Sequence, residues 1–285
     1  MRRILLTTLL AGLASHAHAE LTVAWKLEGF SGPESVARDP ATGTLYVSNF
    51  GKDPMARDGD GFIATITAQG AVTKMDWATG LDAPKGMDFV GGRLYVSDID
   101  QLVEIDTATG QVSNRYKAPG AQFLNDVAAG PDGRVYVSDT FSASVYVLEG
   151  GALGLFAQDP MLMGANGLLV EGGNLLVADL GDISGGFANI KPGPVVRIDL
   201  ASKAISAYGA EGAVGVLDGI EPDGKGGVLL TDNPAGTVLD LQPGGTATVL
   251  ATVGGGAADL EVDPANGLII VPITPAGQVI ALKTE

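Results

Sequence analysis

A five-residue strand pattern returns six times along this chain. It is written first as Leu45-Tyr46-Val47-Ser48-Asn49, then as Leu94 to Asp98, Val135 to Asp139, Leu175 to Asp179, Val228 to Asp232, and in degraded form as Leu268 to Pro272. Ten to twelve residues ahead of the second position of each copy stands a polar residue: Glu34, Lys85, Asn125, Asn166, Asp218 and Asp259 in turn. The copies end 49, 41, 40, 53 and 40 residues apart. A unit of this length that repeats without sustained helical periodicity cannot bury its own apolar face and must stack against its neighbours. The repeat therefore specifies the architecture, and the unequal residues within it specify the chemistry.

Each unit holds alternating or apolar runs of four to seven residues separated by Gly, Pro, Asp and Asn, the pattern of short antiparallel strands with tight hairpins. In the third unit the strands read as Asp126 to Ala129, Arg134 to Ser138, Ser144 to Leu148 and Leu153 to Phe156, turning at Pro131-Asp132-Gly133 and Glu149-Gly150-Gly151. The expectation is an all-β, six-bladed β-propeller of four-stranded antiparallel blades, forming one domain over residues 20–285. The last unit ends after Gln278 to Leu282 without a fourth strand, whereas Leu21 to Leu27 precedes the first unit unassigned. That N-terminal segment is predicted to supply the missing strand, so that the two ends of the chain close the ring and cover its edges.

Residues 1–19 read as a secretory signal: Arg2 and Arg3, the apolar run Ile4 to Leu13, then the small-x-small site Ala17-His18-Ala19. A retained anchor is the alternative. Cleavage before Glu20 implies a periplasmic or secreted protein, and no later stretch approaches the roughly 18 unbroken apolar residues of a membrane span. Loss of Arg2 and Arg3 moves the formal net charge from −16 to −18. Such a surface repels nucleic acid and anionic lipid and attracts cations. Cysteine is absent, and the two histidines, His16 and His18, both lie in the signal. The remaining chain thus has no thiolate nucleophile, no imidazole base or ligand, and no Ser-His-Asp triad.

In a propeller the first strand of each blade lines the central channel and the second returns, so the start of the one and the end of the other share a face. Glu34, Lys85, Asn125, Asn166, Asp218 and Asp259 are expected to ring the channel mouth, with Asn49, Asp98, Asp139, Asp179 and Asp232 just outside. The longer loops Gly51 to Gly61 and Gly181 to Pro194 then overhang that mouth, as a rim or lid or as plain surface insertions. Carboxylate and amide oxygens converging without sulfur or imidazole form a site for a hard divalent cation, Ca²⁺ foremost, with Mg²⁺, Mn²⁺ or Zn²⁺ as alternatives. The plainer reading is that the same residues cap strand starts.

Four segments resemble the regucalcin/gluconolactonase family of six-bladed propellers, which also includes calcium-dependent phosphotriesterases. Gly32-Pro33-Glu34 through Asp39-Pro40 is similar to that family's first-blade motif, Phe123-Leu124-Asn125-Asp126 to its third-blade segment, Ala165-Asn166-Gly167-Leu168 to its Asn-Gly-Leu motif, and Leu217-Asp218-Gly219-Ile220 to its Asp-Gly-hydrophobic motif. The resemblance implies metal ligands at Glu34, Asn125, Asn166 and Asp218, with Asp218 also the catalytic base or nucleophile. It implies a metal that polarises a carbonyl or phosphoryl oxygen. Sugar-lactone members carry an Arg where this chain has Phe123, which argues for a less polar substrate. Lys85, Phe123 and Asp259 are the expected substrate contacts; an ion pair at the mouth or a solvated charge is the alternative for Lys85 and Asp259.

Asp58-Gly59-Asp60-Gly61 lacks the distal Glu of a calcium loop and reads as a turn. The outer aspartates repeat with the fold and read as partners of loop backbone N–H groups, and Trp25, Tyr46, Tyr95 and Tyr136 as packing between blades. The expected function is that of an exported, monomeric, metal-dependent hydrolase of lactones or related esters acting on a small-molecule substrate. The rivals are a non-enzymatic binding propeller with at most a structural metal, and condensation chemistry like that of strictosidine synthase.

Overall fold

The computed structural model describes residues 21–210 and 212–284. The expected signal segment lies outside the described residues. Six four-stranded antiparallel sheets follow one another around a ring. The blade that carries Asn125, for example, is built from Leu124–Ala129, Val135–Asp139, Ser144–Glu149 and Ala152–Gln158, within a few residues of the ranges read from the sequence. Among the described residues the only helical turns are three short 3-10 segments.

The sixth sheet unites both ends of the chain. Thr22–Glu28 pairs with Gln278–Lys283 as the outermost strand, beside Leu268–Ile273 and Glu261–Asp263. Trp25 then reaches across to the first blade, its indole N–H donating to the Ala68 carbonyl at 2.8 Å. The apolar core lies between the blades. Leu45, Val47, Ala64 and Ile66 of blade one meet Leu268, Ile270, Val279 and Ala281 of blade six, and equivalent layers fill every other junction. Tyr46 packs edge-on against Trp77 and Phe89 at ring separations of 4.7 and 5.3 Å, so it serves packing between blades one and two.

One local device positions the channel mouth. In blades one to five the pairing of first and second strands slips by one residue, between Pro33 and Val36, Pro84 and Met87, Leu124 and Val127, Ala165 and Leu168, and Leu217 and Ile220. The residues inside these bulges are Glu34-Ser35, Lys85-Gly86, Asn125-Asp126, Asn166-Gly167 and Asp218-Gly219. A bulge turns a side chain out of the strict alternation of a strand, and here it turns the first residue of each pair to the mouth. The backbone N–H freed by the slip needs a partner. Hydroxyls of the second strand supply it: Ser48 accepts from Ser35 N at 2.9 Å, Ser138 from Asp126 N at 2.8 Å, and Thr231 from Gly219 N at 2.8 Å. In these three blades this accounts for the Ser or Thr that precedes the last residue of the second strand; blade four has Ala178 there, and Ser97 of blade two donates to the Asn125 carbonyl.

The glycines that directly follow Lys85, Asn166 and Asp218 are not turn residues. Gly86, Gly167 and Gly219 lie inside strands and keep ordinary negative φ. A Cβ on them would come 2.1 Å from an Asp126 carboxylate oxygen, 2.3 Å from the Asp218 carbonyl and 2.5 Å from Asp259 Oδ1, respectively. Each next blade therefore closes on its neighbour at the channel wall. Gly167→Ala is expected to cost about 1–3 kcal/mol by overpacking. Gly154→Ala, on an outer strand with nothing within 4 Å, should leave stability within about 0.5 kcal/mol of the original. Paired thermal or urea denaturation checks the contrast.

Candidate functional site

The bulges deliver Glu34, Lys85, Asn125, Asn166 and Asp218 to the wall of one cavity of about 670 Å³ at the channel mouth. All five are buried, and Phe123 lines the same cavity. Asp259 does not. In blade six Ala257 bridges Ile273 as Leu124 pairs Asp139 in blade three, so Ala258 takes the mouth position and Asp259 the position of Asp126, one residue deeper. The sequence register fails here because Ile273, one residue beyond Leu268 to Pro272, stands where the other second strands carry the Asn or Asp that fixes the frame. A one-residue slip moves a side chain to the next level. The assignment of Asp259 to the mouth is corrected accordingly: it lines a second cavity further along the channel.

Hydrogen bonding at the mouth is lopsided. Asn233 Nδ2 donates to Asp218 Oδ2 at 2.7 Å, and Asn125 Nδ2 donates to the Thr140 hydroxyl at 3.0 Å. Glu34 Oε2, Asn125 Oδ1 and Asp218 Oδ1 are buried with no hydrogen-bond partner. Three orphaned oxygens from three blades thus belong to residues lining one cavity. Burial, opposed by hydrogen bonds from Asn233 and Asn166, pushes the Asp218 carboxyl up to about 6. Burial, reinforced by the charges of Asp218 and Asp259, holds Glu34 well above the usual carboxylate range. Among the described residues no three acidic, histidine or cysteine side chains gather as a ligand cluster. The mouth offers two carboxylates and completes its oxygen set with amides.

Lys85 is held from behind. Its ammonium donates to the Pro54 carbonyl at 2.9 Å and the Ala83 carbonyl at 3.0 Å, and lies 4.3 Å from the centre of the Phe123 ring. Burial lowers it to about 8 against the opposing pull of Glu34. Because Pro54 lies on the long loop after Asn49, Lys85 pins that loop at the mouth. Ala188 and Ile190 bring the second long loop to the same cavity. Asp60 N donates to Asp58 Oδ1 at 3.2 Å, a turn within the first loop.

In every blade but the second, the residue following the second strand also reaches the cavity: Phe50, Thr140, Leu180, Asn233 and Thr274. Sequence reading missed this second ring, although its signal was present as the position directly after the recurrent Asn or Asp. The outer acids hold the loops beside it. Asp98 accepts from Ala83 N at 2.7 Å, and Asp139 accepts from Gln122 N at 2.7 Å and Phe123 N at 3.1 Å, which fixes Phe123 in place.

Deeper in the channel Asp88, Asp126, Glu221, Asp259 and Glu261 line a cavity of about 290 Å³ together with Arg38. Four of these acids tie one blade to the next. Asp88 accepts from Ala129 N at 2.7 Å, Asp126 from Leu168 N at 2.6 Å, Asp259 from the Ser35 hydroxyl at 2.7 Å and Glu261 from Arg38 N at 2.8 Å. Burial pushes Asp88 up to about 6 and Glu261 up to about 8.

No family model matches the sequence. The fold is that of the six-bladed lactonase-type propellers. A gluconolactonase from Xanthomonas campestris superposes with a TM-score of 0.66 at 19% identity, over 92% of this chain and 89% of that one. The calcium-binding protein regucalcin from Agrobacterium tumefaciens does so with 0.64 at 17%, over 94% and 96%. Virginiamycin B lyase from Staphylococcus aureus is similar in shape as well, with 0.65 at 12% over 93% and 100%. A histidine-to-alanine form of that lyase is described as catalytically inactive, whereas His16 and His18 of this chain both precede the described residues. In sequence, a 123-residue stretch is 33% identical to the uncharacterized Escherichia coli O157:H7 protein YncE. That stretch covers 41% of this chain and 33% of YncE, so the chain spans about a third of the curated relatives it matches.

The deeper acids set a pH dependence of stability. Their folded-state carboxyls hold protons that an unfolded chain releases near pH 4, so the folded state binds more protons between about pH 4 and 8 and loses stability as pH rises through that window. The melting temperature of metal-free protein should fall between about pH 5 and 8.5. Glu261→Gln, which keeps an acceptor for Arg38 N, should flatten the fall and melt higher than the original at pH 8; an unchanged profile in the variant contradicts this.

Proposed function

We propose that the mouth cavity binds one divalent cation through Glu34, Asn125, Asn166 and Asp218, and that the protein, exported and monomeric, hydrolyses a lactone or related ester there. The observation that carries this reading is the set of buried, unpartnered oxygens on Glu34, Asn125 and Asp218 in one cavity. Such groups destabilise a fold unless something positive satisfies them. Oxygen donors of mixed charge suit a hard cation, and Ca²⁺ fits them best. The fold shared with gluconolactonase and with calcium-binding regucalcin is consistent with this reading.

When bound, the cation supplies Lewis-acid polarisation of the substrate's acyl oxygen. Asp218, oriented by Asn233, is the mouth carboxylate placed to take a proton from the attacking water. The water oxygen bonds to the acyl carbon, the acyl C–O bond to the ring oxygen breaks, and Asp218 returns the proton to that departing oxygen. The product is a hydroxy acid.

Calorimetric titration with Ca²⁺ and Mn²⁺ should give saturable one-to-one binding. Asp218→Ala should abolish it. Asp218→Asn keeps an oxygen ligand but removes the base, so it should retain measurable binding while turnover across a lactone panel falls by about 10²–10⁴. Chelator should silence the original protein. Absence of saturable binding overturns the reading, and binding without turnover of any lactone or ester leaves a ligand-binding propeller in its place.

A further inference from the structure

The same cavity, if it acts as proposed above, also defines which lactones it takes. Above the orphaned oxygens its walls are apolar: Phe50, Leu180, Ile190, Val216, Pro234 and Pro275. Phe123 is stacked on Phe141 at a ring separation of 4.7 Å and has the Lys85 ammonium over its ring, so it lines the cavity as an apolar side chain held in place. A sugar lactone presents several hydroxyls, and each one taken out of water needs a partner. Most polar donors of the cavity are already spent. The Thr140 hydroxyl donates to the Ala165 carbonyl at 2.8 Å and the Thr274 hydroxyl to the Pro33 carbonyl at 2.7 Å. Asn233 serves Asp218, Asn125 Nδ2 serves Thr140, and the Lys85 ammonium is held by two carbonyls over the Phe123 ring.

The surroundings continue this character. Among the described residues, the exposed large apolar side chains that are not on outermost strands are Met55, Met161 and Met163. Met55 adjoins Pro54 on the long loop at the mouth, and Met161 and Met163 lie on and just after the 3-10 turn Pro160–Leu162 that leads to Asn166. Methionine is a flexible apolar surface suited to ligands of varied shape.

We infer that the substrate is a lactone or ester bearing an apolar alkyl or aryl substituent, its acyl group at the oxygen set and its substituent against Phe123 and the apolar walls, and that polyhydroxylated lactones are poor substrates. The inference rests on the hydrolase reading, and its test is separable from that reading. Hydrolysis-resistant lactams of one ring size, carrying either hydroxyls or alkyl chains of one to seven carbons, are titrated into Ca²⁺-loaded protein. Affinity should rise about fourfold per methylene until the chain fills the cavity, with the hydroxylated lactam at least tenfold weaker than the longest alkyl form. Phe123→Arg should weaken the alkyl series tenfold or more while Phe123→Leu retains it, and kcat/KM on the matching lactones should follow the same order. Equal or tighter binding of the hydroxylated lactam, with metal binding intact, overturns the inference and leaves the hydrolase reading standing. Failure of Ca²⁺ to bind removes the hydrolase reading, and the lactam series in metal-free protein then decides whether the apolar preference survives alone.

Discussion

Buried oxygen without a hydrogen-bond donor is the constraint around which this molecule is arranged. Leaving one such group unsatisfied costs about 1–3 kcal/mol, and more when it is charged. Glu34, Asn125 and Asp218 each contribute one to a single cavity. The rest of the ring keeps them there. Each bulge that aims a mouth residue frees a backbone N–H, the Ser and Thr hydroxyls of second strands absorb several of these, and glycine at positions 86, 167 and 219 lets the next blade close in.

The channel is stratified by chemistry. Its mouth holds mixed carboxylates, amides and one lysine; one residue deeper, acids use their oxygens to accept backbone and hydroxyl donors from neighbouring blades. The difference between the layers is satisfaction. Asp126 has both oxygens engaged, by Val127 N at 2.7 Å and Leu168 N at 2.6 Å, whereas its chain neighbour Asn125 leaves Oδ1 free. Adjacent residues in one bulge thus differ: the inner one ties neighbouring blades together, and the outer one leaves a buried oxygen unpartnered. Propellers of this shape serve a gluconolactonase, a calcium-binding protein and a lyase alike, so the unequal ring residues must carry the distinction.

Much of this was legible in the sequence because the repeat carries a frame. The five-residue strand pattern located every blade, and five of the six mouth residues followed from counting back. Blade six escaped because Ile273 stands where the other second strands carry Asn or Asp, and the count from Pro272, one residue short of it, landed on Asp259 in place of Ala258. The Asn-Gly and Asp-Gly pairs were visible, but their meaning was not: a glycine that admits a neighbouring blade looks the same in one dimension as a glycine that makes a turn. Asn233 and Thr140 were hidden for a related reason. They sit just after the recurrent acid, where loop and strand meet, and only the pairing of first and second strands across the bulge brings them to Asp218 and Asn125.

Diffraction from crystals grown with Mn²⁺, recorded at its absorption edge, addresses the central claim without recourse to any substrate. The account predicts one strong anomalous peak at the channel mouth, bonded to oxygens of Glu34, Asn125 and Asp218. A mouth in which those oxygens meet only water, or a peak confined to the deeper acids around Asp88 and Glu261, contradicts it.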